Sequence, residues 1–582
     1  MRCHFREEIK RAEDPYAAWI EQNEGWRGTE ATGRQREAFA QRYHLILPED
    51  AVNDPDLISQ FALAASRGDY DLIYCDEDVI RDAGREQPYF KPDYSPDTLQ
   101  SYDYIGELRA ISREFEERMK KGDNVLPPEK VFHIPKVLYH RLKERDKPPV
   151  EEREPEQEFD RRLSIVVLSK DHPAMLKACV DSLVASGLPE KTEMVLVDNG
   201  STAENRLRYE SFSRQYGIRY YYEPSEFNYS ALCNFGAGQS GGEYLLFLND
   251  DIVVPKESAG FLHRMCRAAQ KPYAGAVGIK LRYPESDRIQ HCGITMLRTG
   301  PSHKLCGYDD RVIYEHGVNW LDRNVAAVTG ACLLIRRERF LEAGGFDESL
   351  PVAYNDVDLC LCLLEKGYFN ISMNSLYLYH YESATRRDDR SDLPSYERLK
   401  NDRVYFEAKH GEFLEKGDPY YSSCLTKTGL DYRPDINWDW EESGVRQAPL
   451  KTVKEKKPAG KIFSHMDRVE YKLSDAYGNE DFVEAWGWIF KRGQNLKKVR
   501  PGVLISMEDK KAVFEGERVY RKDVAENFKK DPDACFSGFI VRIAHSCLKD
   551  MGFLGEVSVR PVMIGKNQAI DKGEEACQIR IN

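Results

Sequence analysis

The sequence predicts an α/β protein whose central region, residues 163–440, folds around a mostly parallel, doubly wound sheet. Apolar runs of strand length alternate there with segments whose apolar residues recur at helical spacing, a pattern typical of such sheets. The strand runs are continuously apolar, as expected where helices cover both faces. Polar residues end these strands, at the edge where ligands bind in this fold class.

The first strand is predicted at LSIVVLS (163–169), and the helix after it begins at Pro173, a residue favoured in the first helical turn. Three more strands are predicted at 193–201, 218–224 and 243–251, with helical segments between them. Because parallel strands end at one edge of a sheet, the polar side chains that end them are expected to meet there. These side chains are Ser169, Asp198 and the cluster Asn249-Asp250-Asp251.

A chain of 582 residues is too long for one hydrophobic core. Two charged, proline-bearing stretches, 146–162 and 441–460, lack apolar periodicity and are predicted as linkers. They separate an N-terminal domain (1–145), the central domain (163–440) and a C-terminal domain (461–582). Short strand-like runs such as EDFVEAWGWIF and GEVSVRPVMI predict a β-sandwich for the C-terminal domain.

Composition excludes some classes of protein. The net charge is −13 with acids and bases interspersed, which argues against a dedicated nucleic-acid binder. No run of about 18 apolar residues is present, so no transmembrane helix is predicted. The first residues lack the apolar core of a secretory signal, and the fourteen cysteines have no paired spacing. We therefore expect a cytoplasmic protein with reduced cysteines.

The cluster Asn249-Asp250-Asp251 is a candidate metal site. Hard divalent cations prefer oxygen ligands, and two carboxylates at the end of a buried strand are well placed to supply them. The alternative is a turn or a helix cap, which Asn and Asp also favour. Asp198 also has two interpretations. Its carboxylate could contact the nucleobase or ribose of a nucleotide, or it could form an Asx turn.

Two further residues are candidates for chemistry. Asp356 is predicted near the start of a helix, where an acid acts either as a cap or as a base. His380 ends the strand-like run LYLYHYES, and a histidine there is either structural or a metal ligand. Each of these signals is weak when taken alone.

From about Leu163 to Tyr421, the segments and their order resemble glycosyltransferase family 2, which has the GT-A fold. The resemblance is to bacterial rhamnosyltransferase-like members that build O-antigen and other surface polysaccharides. It extends over eight collinear segments: LSIVVLS, MVLVDNGS, FNYSALCNFGA, YLLFLNDDIVVP, GAVGIKLRYPESDRIQHCG, AVTGACLLIRRERFLEAGGFDE, VAYNDVDLCLCLLEKGY and LYLYHYESATR.

The resemblance implies roles for individual residues. Asp356 matches the family's general base, and Asp251 and His380 match its metal ligands. The nucleotide side is implied to include Ser169, Asp198, Asn199, Asn234 and Asp250. The donor and acceptor side is implied to include Gly330, Ala331, Asn355 and Arg386.

This sequence departs from the family's common pattern at two positions. Asn249 stands at the first position of the DXD motif, and Asn355 stands at the first position of the ED motif. Arg386 lies in a loop rich in Arg and Asp, and is either a phosphate partner or part of a solvated loop.

The resemblance implies an inverting glycosyltransferase that uses Mg²⁺ or Mn²⁺, because a departing diphosphate needs a cation and the acceptor hydroxyl needs a base. The implied donor is a nucleotide-diphosphate sugar such as dTDP-rhamnose or a UDP-hexose. The implied acceptor is a glycan, free or lipid-linked, with peripheral association at the inner face of the membrane; oligomerisation is left open. The alternative is a non-catalytic glycan-binding or scaffold protein with a degenerate transferase domain.

The N-terminal region resembles the later part of a second family 2 domain, through segments 56–80 and 88–106. We expect a truncated, non-catalytic GT-A-like domain there. Asp76-Glu77-Asp78 has the appearance of a metal motif, and we interpret it as an acidic turn. In the C-terminal domain, Trp486 and Trp488 are expected on one face of a strand, either in the core or at a carbohydrate-binding or oligomer surface.

Overall fold

The structure is a computed structural model of the 582-residue chain. It describes residues 14–24, 30–82, 84–123, 126–145, 159–297, 300–381, 393–427, 430–435, 446, 448–450, 453–455, 461–472, 481–494, 496–519, 521–528, 531–574 and 576–581. The predicted linker 146–162 and most of 441–460 lie outside these ranges.

The chain divides into two compact units. The larger, here called the central unit, comprises residues 19–386 and 405–435, and the C-terminal unit comprises 1–18, 387–404 and 436–582. The predicted N-terminal and central domains therefore belong to one unit. No helix in the described part of the chain is long and apolar enough to cross a membrane.

The N-terminal part of the chain forms a six-stranded sheet in the order β1-β5-β3-β6-β2, with β4 paired to β3. Its strands are β1 (Tyr43–Ile46), β2 (Ala51–Asn53), β3 (Leu72–Arg81), β4 (Gly84–Tyr89), β5 (Arg109–Ser112) and β6 (Val131–Arg141). The helices of this part are α1 (Pro15–Asn23), α2 (Gly33–Arg42), α3 (Leu57–Ala65), α4 (Pro96–Ser101) and α5 (Arg113–Lys120).

The central sheet has the order β11-β18-β12-β17-β10-β7-β8-β9, with β13 paired to β12 and β16 to β18. Its strands are β7 (Leu163–Ser169), β8 (Thr192–Asp198), β9 (Arg219–Tyr222), β10 (Tyr244–Asn249), β11 (Ile252–Val253), β12 (Ala274–Arg282), β13 (Ile289–His291), β16 (Arg323–Val325), β17 (Cys332–Arg336) and β18 (Phe369–His380). A separate hairpin consists of β14 (Thr295–Leu297) and β15 (Gly300–Ser302).

Helices connect and cover these strands. They are α6 (Pro173–Ala185), α7 (Ala203–Tyr216), α8 (Tyr229–Gly238), α9 (Phe261–Gln270), α10 (Arg337–Glu342), α11 (Asn355–Glu365) and α13 (Gly411–Lys416). Helix α12 (Leu393–Lys409) begins in the C-terminal unit and ends in the central unit. Short 3-10 turns in the chain lie at Pro128–Lys130, Lys256–Ser258, Glu315–Gly317, Leu496–Lys498, Pro532–Phe536 and Lys566–Gln568.

Strands β7, β8, β9 and β10 are parallel, whereas β17 runs antiparallel between β10 and β12, so the sheet is mixed. Successive residues of β7 enter two different cores: Ile165 and Val167 pack on one face and Val166 packs on the other. This explains why the strand is continuously apolar. Helix α8 approaches β7 so closely that a Cβ at Gly236 would lie 2.4 Å from Val166 Cγ1.

The N-terminal part packs on the central sheet through α4. The backbone N–H of Asp97 donates to Asn324 Oδ1 over 2.9 Å, and Asn324 Nδ2 donates to Asp97 Oδ2 over 2.7 Å. Lys271 forms an ion pair with the same carboxylate. Asp97 and Asn324 are both buried, so these contacts join β16 and α4 through satisfied polar groups.

The expectation of an acidic turn at Asp76-Glu77-Asp78 is wrong, since all three residues lie within the buried strand β3. Each carboxylate has its own basic partner from a distant part of the sequence. The pairs are Asp76 with His133 at 2.8 Å, Glu77 with Lys91 at 2.8 Å, and Asp78 with His140 at 2.6 Å. Buried charges require such partners, so removal of any one partner would leave an uncompensated charge inside the N-terminal sheet.

The buried pair Asp76–His133 predicts a pH-dependent stability. Burial alone lowers the pKa of His133, but the Asp76 and Asp93 carboxylates outweigh it and raise the pKa to about 9. A raised histidine pKa stabilises the fold fully below the unfolded value near 6.5, and this is lost as the pH rises through 9. The shift corresponds to roughly 3 kcal/mol. Urea unfolding should show a decline in stability between pH 6.5 and 9 that is absent in His133→Gln.

The matched control for this prediction is His44→Gln, because His44 is an exposed histidine on β1 of the same sheet. Its pH profile should follow that of the wild type. If His133→Gln and the wild type lose stability in parallel over this range, His133 does not carry the effect.

The C-terminal unit contains two sheets. One has the order β19-β27-β26-β22-β23 with β28 paired to β26, and the other has the order β20-β21-β25-β24. The strands are β19 (Lys454–Glu455), β20 (Ile462–Lys472), β21 (Phe482–Lys491), β22 (Arg500–Met507), β23 (Lys510–Glu515), β24 (Glu517–Val519), β25 (Gly538–Ala544), β26 (Gly555–Ile564), β27 (Ala569–Lys572) and β28 (Cys577–Ile581). The helices are α14 (Lys522–Asn527) and α15 (His545–Asp550).

Side chains from both C-terminal sheets form one apolar core, the arrangement of a β-sandwich. Val483 and Val541 come from one sheet, and Val503 and Val559 come from the other. Trp486 and Trp488 of β21 are half-buried, and Trp488 packs against Phe490 and Phe528.

Candidate active site

The parallel strands bring three polar strand ends together. In the register of the sheet, Ser169 lies opposite Asp198, and Leu168 lies opposite Asn249. The ends of β7, β8 and β10 therefore form one continuous edge. The order of the strands in the sequence predicted that these strand ends would lie side by side. The observed register of β7 with β8 and β10 has them side by side.

The carboxylate of Asp250 is bound by another side chain of the protein at this edge. Ser169 Oγ donates to Asp250 Oδ2 and also contacts the hydroxyl of Tyr209 at 2.7 Å. Burial raises the pKa of Asp250 to about 6, and the Asp251 carboxylate beside it adds to the rise. Asp250 thus anchors the loop after β10 to the end of β7.

Asp251 and His380 face each other. Strand β11 pairs with β18 so that Ile252 lies opposite His380, and this places His380 Nε2 3.2 Å from Asp251 Oδ1. Asn249 Nδ2 lies 3.4 Å from the same imidazole nitrogen. His380 Nδ1 is 2.8 Å from Gln290 Oε1, a contact in which the ring N–H donates. Since Nδ1 carries the proton, Nε2 carries the lone pair, and this nitrogen lies beside both Asp251 Oδ1 and Asn249 Nδ2.

The pair Asp251–His380 fits a divalent cation. Both residues are buried, and no described residue donates a hydrogen bond to Asp251 Oδ1. A buried carboxylate oxygen without a donor is costly for a protein unless another ligand satisfies it. Carboxylate oxygen and imidazole nitrogen are both ligands for Mn²⁺, and carboxylates also suit Mg²⁺.

Asp356 lies at the start of α11 and is held by two backbone donors. Val357 N donates to Asp356 Oδ1 over 2.8 Å, and Gly330 N donates to Oδ2 over 2.7 Å. Tyr354, just before the helix, has a left-handed φ of 64°, an uncommon conformation for a residue other than glycine. Such strain often accompanies functional sites, and here it sets the direction in which α11 begins.

A short chain of contacts joins Asp356 to the Asp251–His380 pair. The carbonyl of Ala331 accepts from Asn249 N over 3.0 Å, and the preceding Gly330 holds Asp356. A Cβ at Gly330 would lie 3.2 Å from the Tyr229 hydroxyl oxygen, a tight contact that glycine avoids. Six residues singled out in the sequence therefore form one connected group: Asn249, Asp251, Gly330, Ala331, Asp356 and His380.

The model for glycosyl transferase family 2 matches residues 164–343, which contain the ends of β7, β8 and β10 and the Gly330 segment. Residues 164–343 form a glycosyltransferase family 2 domain. Asp356 and His380 lie C-terminal to the matched residues, but β18 belongs to the same sheet. The expectation of a GT-A-type α/β fold for this part of the chain is confirmed by the family match.

Three curated relatives are similar to the chain. The O-antigen biosynthesis protein RfbC of Myxococcus xanthus is 30% identical over 530 residues, which cover 79% of this chain and 39% of that protein. The uncharacterized protein y4gI of Sinorhizobium fredii is 30% identical over 488 residues, covering 72% of this chain and 52% of that protein.

The third relative is the N-acetylglucosaminyl-diphospho-decaprenol L-rhamnosyltransferase of Mycobacterium tuberculosis. It is 26% identical over 187 residues, covering 30% of this chain and 59% of that protein. The chain thus spans less than two thirds of the length of each of these relatives.

At the end of β8, Asp198 is fully buried. Its carboxylate accepts from Ser201 N over 2.8 Å and from the Tyr220 hydroxyl over 2.7 Å, so it holds the turn after β8. Asn199 Nδ2 donates to the carbonyls of Glu223 and Ser225, whereas its buried Oδ1 has no donor among the described residues. A free acceptor at this strand end suits the N–H of a nucleobase.

One predicted site residue, Asn234, is not brought to this group. The amide of Asn234 exchanges hydrogen bonds with the backbone of Phe346 at 2.9 and 3.0 Å, and it lines a different cavity beside Gly345 and Asp358. Its side chain therefore joins α8 to the loop before α11. Arg386 lies outside the described residues. Asn355 is buried next to Asp356 and accepts from its backbone N–H over 2.8 Å.

Sequence reasoning missed three residues that support the family 2 site. Gln290 orients His380, Tyr209 contacts Ser169, and Tyr229 donates to the carbonyl of Gly330 over 2.9 Å. Gln290 lies within the segment GAVGIKLRYPESDRIQHCG that carries the family resemblance. No spacing rule ties it to His380, because the two residues are 90 positions apart.

Gln290 is expected to control metal affinity through His380. Gln290→Leu removes the acceptor that holds Nδ1–H and frees the ring to rotate, so Mn²⁺ affinity should fall by about 10- to 100-fold. Gln290→Glu keeps an acceptor at this position and should retain most of the affinity. Calorimetric titration with Mn²⁺ measures both variants; equal affinity of Gln290→Leu and the wild type would refute the orienting role.

Proposed function

We propose that the family 2 domain transfers a sugar from a nucleotide-diphosphate donor to a hydroxyl group of a glycan acceptor, with inversion at the anomeric carbon. The observation that carries the proposal is the connected group in which a base, Asp356, adjoins the Asp251–His380 pair through Gly330, Ala331 and Asn249. In this proposal, the base and the metal ligands that such a reaction requires would act from side chains that this one chain of contacts connects.

Asp251 and His380 would hold the divalent cation, Mg²⁺ or Mn²⁺. A cation bound there would neutralise negative charge on the departing diphosphate. Burial of both residues supports this role, because electrostatic interactions weaken less in a site with little water. The acceptor oxygen of Asn199 at the end of β8 supports a nucleobase contact on the same edge.

Asp356 would take the proton from the acceptor hydroxyl. The two backbone donors at the start of α11 fix the orientation of the carboxylate. Each carboxylate oxygen retains a further lone pair for the proton. Attack by the acceptor from the side opposite the leaving group is a single displacement, so it needs a base and no enzyme nucleophile.

Relatives suggest the substrate class. One similar protein is named for O-antigen biosynthesis, and another for rhamnosyl transfer to a diphospho-decaprenol-linked N-acetylglucosamine. We propose a donor of the dTDP-rhamnose or UDP-hexose type and a glycan acceptor that is free or lipid-linked. This places the reaction in the synthesis of cell-surface polysaccharide.

The test of the proposal is a panel of nucleotide sugars with Mn²⁺ and with Mg²⁺. The cognate donor is expected to raise the thermal unfolding temperature of the central unit only when metal is present, since ligand binding stabilises the folded state. Transfer of a labelled sugar to extracted glycan acceptors, with analysis of the anomeric configuration, should show inversion. A retained anomeric configuration would contradict the single displacement.

We also propose that the N-terminal sheet is a non-catalytic copy of one half of the family 2 sheet. Its order β1-β5-β3-β6-β2 repeats the order β10-β17-β12-β18-β11, with the same parallel and antiparallel pairs. Leu142 N donates to the Asp50 carbonyl as Tyr381 N donates to that of Asp251. Asp50 therefore takes the position of Asp251.

The metal ligands do not recur in this copy. Ala51 lies opposite Arg141, where Ile252 lies opposite His380, so a guanidinium replaces the imidazole. The Asp50 carboxylate is exposed and pairs with Lys143 at 2.7 Å. A cation has no comparable pair of ligands here, and this supports a structural role for the N-terminal sheet.

A further inference from the structure

A second set of metal-ligand side chains lies beside the helix that carries Asp356. Asp358 and Cys362 are four residues apart on α11 and so share one face of the helix. His410, just after α12, meets that face. One ligand atom from each of the three residues lies within 4.8 Å of the other two.

His410 is already oriented as a metal ligand would be. The residue is almost completely buried, and its Nε2 lies 2.8 Å from Asp358 Oδ1. Its other ring nitrogen, Nδ1, lies 3.2 Å from Glu365 Oε1. Metal-binding histidines commonly have such a carboxylate partner on the second nitrogen, which fixes the ring and its tautomer.

We propose that Asp358, Cys362 and His410 form a zinc site that joins α12 to α11. Thiolate, imidazole and carboxylate are the three ligand types that proteins use for Zn²⁺. The mixed set is unsuited to Mg²⁺, which prefers oxygen ligands throughout. A cavity of about 390 Å³ is lined by Asp358 and Lys409, so an ion can approach the cluster from the Asp358 side. A water would be the fourth ligand.

Lys409 is the cation that competes for this position. Its Nζ lies 2.8 Å from Asp358 Oδ1 and 2.8 Å from Asp347 Oδ2. The lysine side chain is about one third exposed, so it can keep its contact with Asp347 while a metal ion takes Asp358. When a metal ion binds, it replaces the Lys409 ammonium group as the positive charge beside the buried Asp358 carboxylate.

Binding also requires a proton to leave the thiol. Burial raises the pKa of Cys362 to about 11, so the residue carries S–H when no metal is present. The zinc–sulfur bond forms as the S–H bond breaks, and the proton is released to solvent. No oxidation or reduction takes place.

The test uses Co²⁺ as a spectroscopic probe on the full-length chain, after removal of metals and under reducing conditions. Coordination by Cys362 is expected to give a thiolate-to-cobalt charge-transfer band, which Zn²⁺ then removes by displacing Co²⁺. The Asp251–His380 pair contains no sulfur and produces no such band, so the two sites are distinguishable. The measurement does not depend on sugar transfer.

Variants decide which thiol is involved. Cys362→Ser should lose the band, and Cys424→Ser should keep it because that partly buried cysteine lies outside the cluster. Glu365→Gln is expected to weaken Zn²⁺ binding by about 10-fold through His410. Lys409→Met should strengthen Zn²⁺ binding, since the competing ammonium group is removed.

The absence of a charge-transfer band in the wild type, or its survival in Cys362→Ser, overturns the proposal. Unchanged Zn²⁺ affinity in Lys409→Met would count against it as well. In either case Asp358, Lys409 and His410 are an ion-paired cluster that holds the two helices together without metal.

Discussion

Replacing Asp356 by asparagine is expected to lower kcat for sugar transfer by about 10²- to 10⁴-fold, the usual contribution of a general base. Asparagine has nearly the same size and still accepts one backbone hydrogen bond, but it cannot take a proton from the acceptor hydroxyl. Donor and metal affinities should remain close to those of the wild type, because Asp251 and His380 are untouched. Initial rates at saturating donor and Mn²⁺ measure the effect.

A matched control is Asp347→Asn, in the loop before α11. Asp347 is an acid like Asp356, but its carboxylate forms an ion pair with Lys409 and accepts no hydrogen bond from Gly330 or Val357. Its transfer rate should stay within a few-fold of the wild type. If Asp356→Asn retains most of the wild-type kcat, another group takes the proton and the assignment fails.

Loss of rate through misfolding would have a different signature. Asp356 is partly exposed, and the substitution removes a single hydrogen bond from Val357 or Gly330. The expected cost in unfolding free energy is about 1 kcal/mol. A variant that binds Mn²⁺ and donor normally but transfers sugar slowly therefore isolates the chemical step.

The strands that position the site were predictable from the sequence. LSIVVLS was predicted as a strand and is observed as Leu163–Ser169, because its apolar side chains are buried in two cores and the side chains of Ser164 and Ser169 are hydrogen-bonded. The strands at 193–201 and 243–251 follow the same rule and end at Asp198 and Asn249. A strand covered on both faces contains a run of apolar residues, and this run can be recognised in the sequence without knowing which strands pair with it.

The contacts that complete the site were not predictable. Gly330 and Asp356 are 26 positions apart, and Gln290 and His380 are 90 apart. Each contact depends on the register between strands or on the direction in which a helix begins, such as the left-handed φ at Tyr354. Such long-range geometry has no periodic signal in one sequence.

Acidic composition misled the interpretation of Asp76-Glu77-Asp78. Three consecutive acids favour an exposed turn when considered locally, because unpaired charges are rarely buried. The partners that allow burial, Lys91 and the two histidines of β6, become neighbours only when the sheet has formed. The family resemblance also implied that Asn234 is one of the nucleotide-side residues. In the structure, its amide is hydrogen-bonded to the backbone of Phe346.

Replacing Asp251 by alanine is expected to abolish Mn²⁺ binding at the family 2 site and to lower transfer by at least about 10³-fold. A bound cation stabilises charge on the leaving diphosphate by several kcal/mol, and each 1.36 kcal/mol corresponds to tenfold in rate. His380 alone provides one nitrogen ligand, which is too little for a hard cation. Electron paramagnetic resonance of free Mn²⁺ measures the binding, and a radiolabelled donor measures the transfer.

Asp50→Ala is the matched control for this variant, since Asp50 takes the place of Asp251 in the N-terminal sheet. It should leave both Mn²⁺ binding and transfer unchanged, because Asp50 pairs with Lys143 and the adjoining position holds Arg141. Loss of Mn²⁺ binding in Asp50→Ala would mean that the N-terminal sheet contributes a metal site of its own. Retained Mn²⁺ binding in Asp251→Ala would instead mean that the metal does not bind at the end of β10. The buried Asp251 Oδ1, which accepts no hydrogen bond from a described residue, would then have no explanation.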